Sequence, residues 1–195
     1  MNNKLPSIPL PKDIIASIEQ SFVSAKAYGQ IATLHDQKIF QRTVHINYHP
    51  ELKVFFINAH KSSRKYDSAL KGELFSGCYW DLAASTQYIW HARPQVLSAT
   101  DSKPFDLQKS AWQCMRNEVR LAYYLDAENI DLHSNTIKNY PLDQPAPNHD
   151  VILFTPHYWD IFQVSQQEHR FSTRTLYHWE AKQWSKQNTS ILHTP

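Results

Sequence analysis

The chain has 195 residues, 42% of them hydrophobic and 13% aromatic, with a formal net charge of +2. That length and apolar content support one ample core and exclude a disordered chain. So small a charge excludes the basic footprint that nucleic-acid binding needs, and no apolar run approaches the roughly 20 residues of a membrane helix.

Two cysteines, Cys78 and Cys114, are too few for a disulfide framework. Both sit in apolar or amphipathic surroundings, which predicts buried, reduced thiols in a cytoplasmic protein. The opening MNNKLPSIPLPKD lacks the charged-then-apolar pattern of a signal peptide. With only three glycines there is neither a G-x-G-x-x-G fingerprint nor a G-x-x-x-x-G-K-[ST] loop. A nucleotide-like cofactor would therefore have to be held by side chains and a helix start.

In chain order, Pro11 to Tyr28 carries a helical stripe of Ile14, Ile15, Ile18, Phe22 and Val23, closed near Gly29. QIATLHD and KIFQRTVHINYH, joined across Asp36–Lys38, predict a hairpin, and LKVFFINA a third strand. A short helix follows, capped by Ser62 or Ser63, and then come LFSGCYW and a long strand, STQYIWHARPQVLSAT. Pro94 in the latter marks a bulge or an edge position. Lys103 to Tyr124 reads as one amphipathic helix whose Phe105, Trp112, Met115, Val119 and Tyr123 predict a core stripe. Residues 125–150 read as a long loop, and VILFTPHYWDIFQV with HRFSTRTLYHWEAKQWSKQNTSIL as two or three closing strands. Strands joined by short turns predict a mainly β fold with flanking helices, an antiparallel meander closing into a barrel, as a single domain over 1–195.

Ile57 to Glu73 carries the strongest chemical signal. Arg64 and Lys65 fall in the first turn of the short helix, with His60 and Lys61 just before it. Cations at a helix start are disfavoured by the macrodipole, so their presence is consistent with an anion among them; a solvated basic turn is the competing reading. On the preceding strand Arg42 shares a face with Val44, Ile46 and Tyr48, and a buried guanidinium there needs a partner, either a carboxylate or that same anion. Gln87 shares a face with Ile89 and His91, and its amide could read the edge of a flat ring. Arg170, Ser172 and Arg174 line one face near the C-terminus, as an anion site or as half of a cross-strand ion pair with a residue such as Glu180. The eleven histidines show neither H-E-x-x-H spacing nor a cysteine cluster, so no metal is expected.

The order Arg42-Thr43-Val44, KVFFIN, Ser63-Arg64-Lys65, Gln87 and EHRFSTRTLY resembles the pyridoxamine 5′-phosphate oxidase family of FMN-binding split barrels. The resemblance covers about residues 29–96 and a shorter patch from about 160 to 177. It implies an antiparallel split β-barrel that binds FMN noncovalently at a homodimer interface and acts on a small molecule. Arg42, Ser63, Arg64 and Lys65 would hold the phosphate, and Thr43, Val44, Phe56 and Ile57 would line the ribityl chain and ring. Gln87 and Arg174 would reach the ring, and His169, Arg170 and Ser172 would touch the substrate. Where the oxidases have a lysine after Arg-x-Val this chain has Asn47, and where they have a tryptophan it has Val164. Their arginine–x–histidine pair appears as Arg170-Phe171-Ser172. These departures imply a retained flavin site with a changed substrate side. A flavin carrier or sensor, or a barrel binding another anion such as haem, remains the alternative.

Overall fold

The computed structural model describes residues 8–23, 27–97, 105–124, 140–168 and 171–190. A 3-10 turn leads into α1 (Ile15–Val23), followed by β1 (Ala27–His35), β2 (Lys38–His49), β3 (Val54–His60) and α2 (Arg64–Leu70). Next come β4 (Phe75–Asp81), β5 (Thr86–Leu97), α3 (Phe105–Gln113) and α4 (Asn117–Leu121). The chain closes with β6 (His149–Gln163), β7 (Thr173–Glu180) and β8 (Gln183–Ser190).

The strands form one antiparallel sheet in the order β3-β2-β1-β4-β5-β6-β7-β8, and β3 also pairs with β6. That extra ladder closes strands β1 to β6 into a six-stranded barrel, so the central sheet has no free edge. Alternation makes the barrel fold. In β1 and β5 every second residue is buried, Ala27, Gly29 and Ile31 in one and Thr86, Tyr88, Trp90 and Ala92 in the other. The β1–β2 turn places Asp36 and Gln37 both at positive φ (47° and 61°), the geometry of a two-residue hairpin. The register shift lies between His91 and Ala92, and the ladder from β5 to β4 also stops at Ala92, so Pro94 interrupts no bond on that side.

The barrel interior is filled. Phe55, Tyr88, Trp90, Phe154 and Trp159 are all at most 1% exposed, and Phe22 of α1 inserts its ring among Phe55, Tyr79, Tyr88 and Trp90 at centroid distances of 4.9–6.3 Å. Side chains leave no room there for a ligand. A second apolar cluster forms outside, where Leu107 and Ala111 of α3 cover Val54, Phe56, Val151 and Leu153.

Four sequence expectations need correction. The first helix ends at Val23, not Tyr28; Ala27 and Tyr28 instead pair with Ile46 and His45, and the buried ladder position of Ala27 outweighs its helix propensity. The single helix of 103–124 is two, broken at Cys114–Arg116. Arg120 stabilises the break: its guanidinium donates to the carbonyls of Trp112 (2.9 Å), Gln113 (2.5 Å) and Leu142 (3.1 Å), satisfying acceptors at the end of α3. Cys114 at that break is exposed rather than buried, and Cys78 is half-buried; both thiols are free. Finally β6 begins at His149, inside the expected loop, while residues 125–139 of that loop lie outside the described residues.

Candidate functional site

β2 and β3 are paired only at Asn47–Phe56, Tyr48–Phe55 and His49–Val54. Beyond Asn47 the strands diverge: β2 continues paired to β1 alone, while β3 runs on against β6 and into α2. Two clefts flank the seam this opens.

The first, of about 490 Å³, is lined by Phe40 and Arg42 of β2 and by Ser62, Ser63, Arg64 and Lys65 at the start of α2. Two hydrogen bonds fasten α2 there: Tyr66 Oη donates to the buried carboxylate of Asp150 (2.6 Å) and Ser68 Oγ donates to the Leu34 carbonyl (2.6 Å). Neither expected serine caps the helix. Ser63 occupies the N-cap position, but its hydroxyl donates to the His60 carbonyl (2.7 Å), and Ser62 Oγ bonds His60 Nδ1 (2.7 Å). The local turn competes for the hydroxyls and wins.

Three cations therefore converge. The Arg64 guanidinium lies over the Phe40 ring at 4.6 Å, and Arg42 donates to Thr33 Oγ1 (2.8 Å). Among the described residues, none of Arg42, Arg64 and Lys65 forms a salt bridge with a carboxylate. The first option for Arg42, a carboxylate partner, is thus not taken up. Burial, and then the Arg64 charge, pull Arg42 below its ordinary pKa. Burial, and then Arg42, push the Lys65 ammonium down to about 8.

That shift makes a pH prediction. The ordinary lysine value is 10.5, so from pH 8 to 10.5 the unfolded chain binds the Lys65 proton while the folded chain has released it. More protons on the unfolded side means that stability rises with pH through this window. Groups with raised pKa values, such as Tyr123 and Tyr177, oppose this with the same slope in any variant, so denaturant titrations of the ligand-free protein should show a more positive slope of stability against pH than Lys65→Met shows. An equal slope in both proteins would refute the shift.

The second cleft, of about 410 Å³, begins two residues along β2 and is lined among others by Val44, Asn47, Asn58, Met115, Val119 and Tyr123. The last three belong to the stripe predicted as core; the helix break re-aims them, and Val119 is 46% exposed. Behind Asn58, His149 is fully buried between the rings of Trp112 (5.0 Å) and Tyr123 (4.9 Å), and burial, followed by the Lys61 charge, pushes its pKa down to about 4.

Other expected site residues lie elsewhere. Phe56 and Ile57 are buried, in the outer and the barrel core respectively, so only their backbone can face the seam. Thr43 is exposed and pairs with Gln30. Gln87 is on the far barrel wall, its amide 3.7 Å from Cys78 Sγ, in a cross-strand row with Trp80, Phe162 and Arg174. Arg174 is engaged bidentately by the buried Asp160 on β6, a cross-strand ion pair with a different acid from the Glu180 considered. Ser172 precedes β7, and its buried hydroxyl accepts from the Ser165 N–H (3.2 Å). His169 and Arg170 lie outside the described residues. Among the described residues no three His, Cys, Asp or Glu side chains cluster as metal ligands, and no helix is long and apolar enough to cross a membrane.

No protein-family model matches the sequence, and no curated protein matches it either. Solved structures do match the fold. One is a pyridoxamine 5′-phosphate oxidase-related, FMN-binding protein from Nostoc punctiforme, at TM-score 0.71 and 18% identity over 94% of this chain and 99% of that one. Another is PhzG from Burkholderia lata in complex with tetrahydrophenazine-1-carboxylic acid, at TM-score 0.64 and 15% identity over 95% and 94%. The chain has the split-barrel fold of these proteins, at remote sequence similarity.

Proposed function

We propose that this chain is an FMN-binding flavoprotein that acts as an FMN-dependent oxidoreductase on a small molecule. The observation that carries the reading is the convergence of Arg42, Arg64 and Lys65 on one cleft with no carboxylate salt bridge to any of them among the described residues. Partly buried cations set side by side are held together at a cost, and a phosphate dianion offsets it through charge-assisted hydrogen bonds. The second cleft follows two residues along β2, roughly 7 Å away along the strand. A ligand with an anionic end, a short chain and a flat end spans such a pair, and FMN has that shape.

Within the chain, Arg42, Arg64, Lys65 and the Ser63 segment would bind the phosphate, while Val44, Met115, Val119 and Tyr123 would exclude water from the flat end. FMN, when bound, supplies hydride transfer, so no side chain has to act as a strong base. Gln87 and Arg174 are remote from the seam within one chain, which supports a homodimer that brings the far wall of one subunit to the seam of the other. Tyr28, at 56% exposure, and Trp80, at 43%, supply apolar surface for such a contact. Two free thiols are consistent with a cytoplasmic, reducing location.

The test is flavin binding with and without the phosphate. The purified protein is expected to quench and retain FMN at about one per chain and to bind riboflavin at least about 100-fold more weakly, the worth of two or more charge-assisted bonds. Equal affinity for the two would refute the phosphate socket, and release of both on desalting would refute the flavoprotein reading.

A further inference from the structure

The second cleft holds a polar pair that the phosphate reading leaves unused. Asn47 and Asn58 stand on β2 and β3 on either side of the point where the ladder ends, both half-buried. Asn47 pairs with Phe56, two residues before Asn58 on β3, so the two asparagines lie on the same face, and both line the one cleft. Val44, Met115 and Tyr123 give the cleft an apolar side against which a flat ring can lie, while Arg116 and Glu118 line its polar side.

The two amides are oriented differently. The Asn47 amide nitrogen faces the backbone, toward the carbonyls of His45 (3.4 Å) and Phe56 (3.5 Å), which leaves Oδ1 as the atom available to the cleft. Asn58 is fixed by His149, whose Nε2 lies 2.9 Å from Asn58 Oδ1. His149 Nδ1 is buried and has no partner among the described residues. A proton on Nδ1 would be an orphaned buried donor, which is rarer and costlier than a bare acceptor. The proton therefore sits on Nε2 and is donated to Asn58 Oδ1, so the Asn58 amide presents its N–H groups to the cleft. The Trp112 and Tyr123 rings hold the imidazole, and thereby the amide, in that orientation.

We propose that this cleft recognises the lactam edge of a planar heterocycle, a ring N–H donating to Asn47 Oδ1 beside a ring carbonyl accepting from Asn58 Nδ2. His149 is the positioning residue. Two sources can bring such an edge: the pyrimidine ring of the flavin itself, in which case the inference rests on the proposed function, or the ring of a second, substrate molecule.

The experiment starts from the unaltered protein. Lumiflavin and 3-methyllumiflavin, flavin rings without the phosphate, are titrated into the purified full-length protein. 2-Quinolone and N-methyl-2-quinolone are titrated into the same protein saturated with FMN. A preference of about tenfold or more for the N–H form over its N-methyl form is expected in one arm, because methylation leaves the Asn47 oxygen unpaired under the bound ring. Preference in the lumiflavin arm assigns the edge to the flavin, and preference in the quinolone arm assigns it to a substrate. Asn47→Leu should erase the preference, and Asn58→Leu should weaken both members of a pair alike. Less than about twofold preference in both arms, no binding of either N–H probe, or a preference that survives Asn47→Leu overturns the proposal. The phosphate socket is tested separately: FMN no tighter than riboflavin would remove that reading and leave the lumiflavin comparison standing.

Discussion

Replacing Arg64 and Lys65 together by alanine is expected to weaken FMN binding by roughly 10²–10⁴-fold while the fold survives. Each side chain would lose a charge-assisted hydrogen bond worth roughly 1.5–3 kcal/mol, and each decade of affinity is about 1.4 kcal/mol. The ligand-free protein should lose little. Arg64 gives up its contact with the Phe40 ring, worth roughly 0.5–1 kcal/mol at so exposed a site. Against this, removing Lys65 ends the burial of an ammonium, and removing Arg64 takes away the charge that, after burial, holds Arg42 below its ordinary pKa. The thermal midpoint should therefore stay near that of the unaltered protein. Riboflavin supplies the internal control, since without a phosphate its affinity should change little. If the double variant held FMN at unaltered affinity, the cations would have to be reassigned to a solvated basic turn.

The sequence showed the parts of this molecule that depend on local period. Alternation in QIATLHD, KIFQRTVHINYH and STQYIWHARPQ placed the strands, and cations at the start of a short helix pointed to an anion. What stayed hidden depends on contacts distant in the chain. Nothing near Cys114 signals a helix break, because the group that ends α3 belongs to Arg120 and reaches Leu142 as well. With the helix divided there, Met115, Val119 and Tyr123 line a cleft instead of forming a core stripe. Likewise the ion pair of Arg174 stayed hidden, because its partner, Asp160, sits on the neighbouring strand 14 positions earlier in the chain. The asparagine pair was hidden for a further reason. Asn47 stood out only as a missing lysine, and its role with Asn58 appears only once the strands diverge. His149 could have been noticed as a histidine opening an apolar run, but its bond to Asn58 spans 91 residues.

The largest stability effect is expected far from the seam, at Gly77. This glycine pairs across β4 and β5 with Trp90, whose indole occupies the space a side chain at position 77 would need. A Cβ at position 77 would stand 2.1 Å from Trp90 Cζ2 and 2.2 Å from Cε2, well inside van der Waals contact. No unusual φ is involved, so it is space alone that demands glycine. The indole has nowhere to go: it is 1% exposed and is packed against Phe154 (6.2 Å), Trp159 (6.0 Å) and Phe22 (6.3 Å). Gly77→Ala should therefore cost at least about 3 kcal/mol, the upper end of ordinary overpacking. At position 29, by contrast, the nearest atom is the mobile Cδ1 of Ile46 at 2.4 Å, which can swing away, although the Cys78 carbonyl at 2.8 Å cannot. The cause at position 77 is testable by a double-mutant cycle with Trp90→Leu, read by urea denaturation. Trp90→Leu alone leaves a cavity and is itself destabilising. If the clash is the cause, the double variant should be less destabilised than the sum of the single changes by roughly 1–3 kcal/mol. Strict additivity would mean that Gly77 is required for some reason other than Trp90. Because the barrel interior carries no part of the seam, whatever fraction of Gly77→Ala folds should still bind FMN with unaltered affinity.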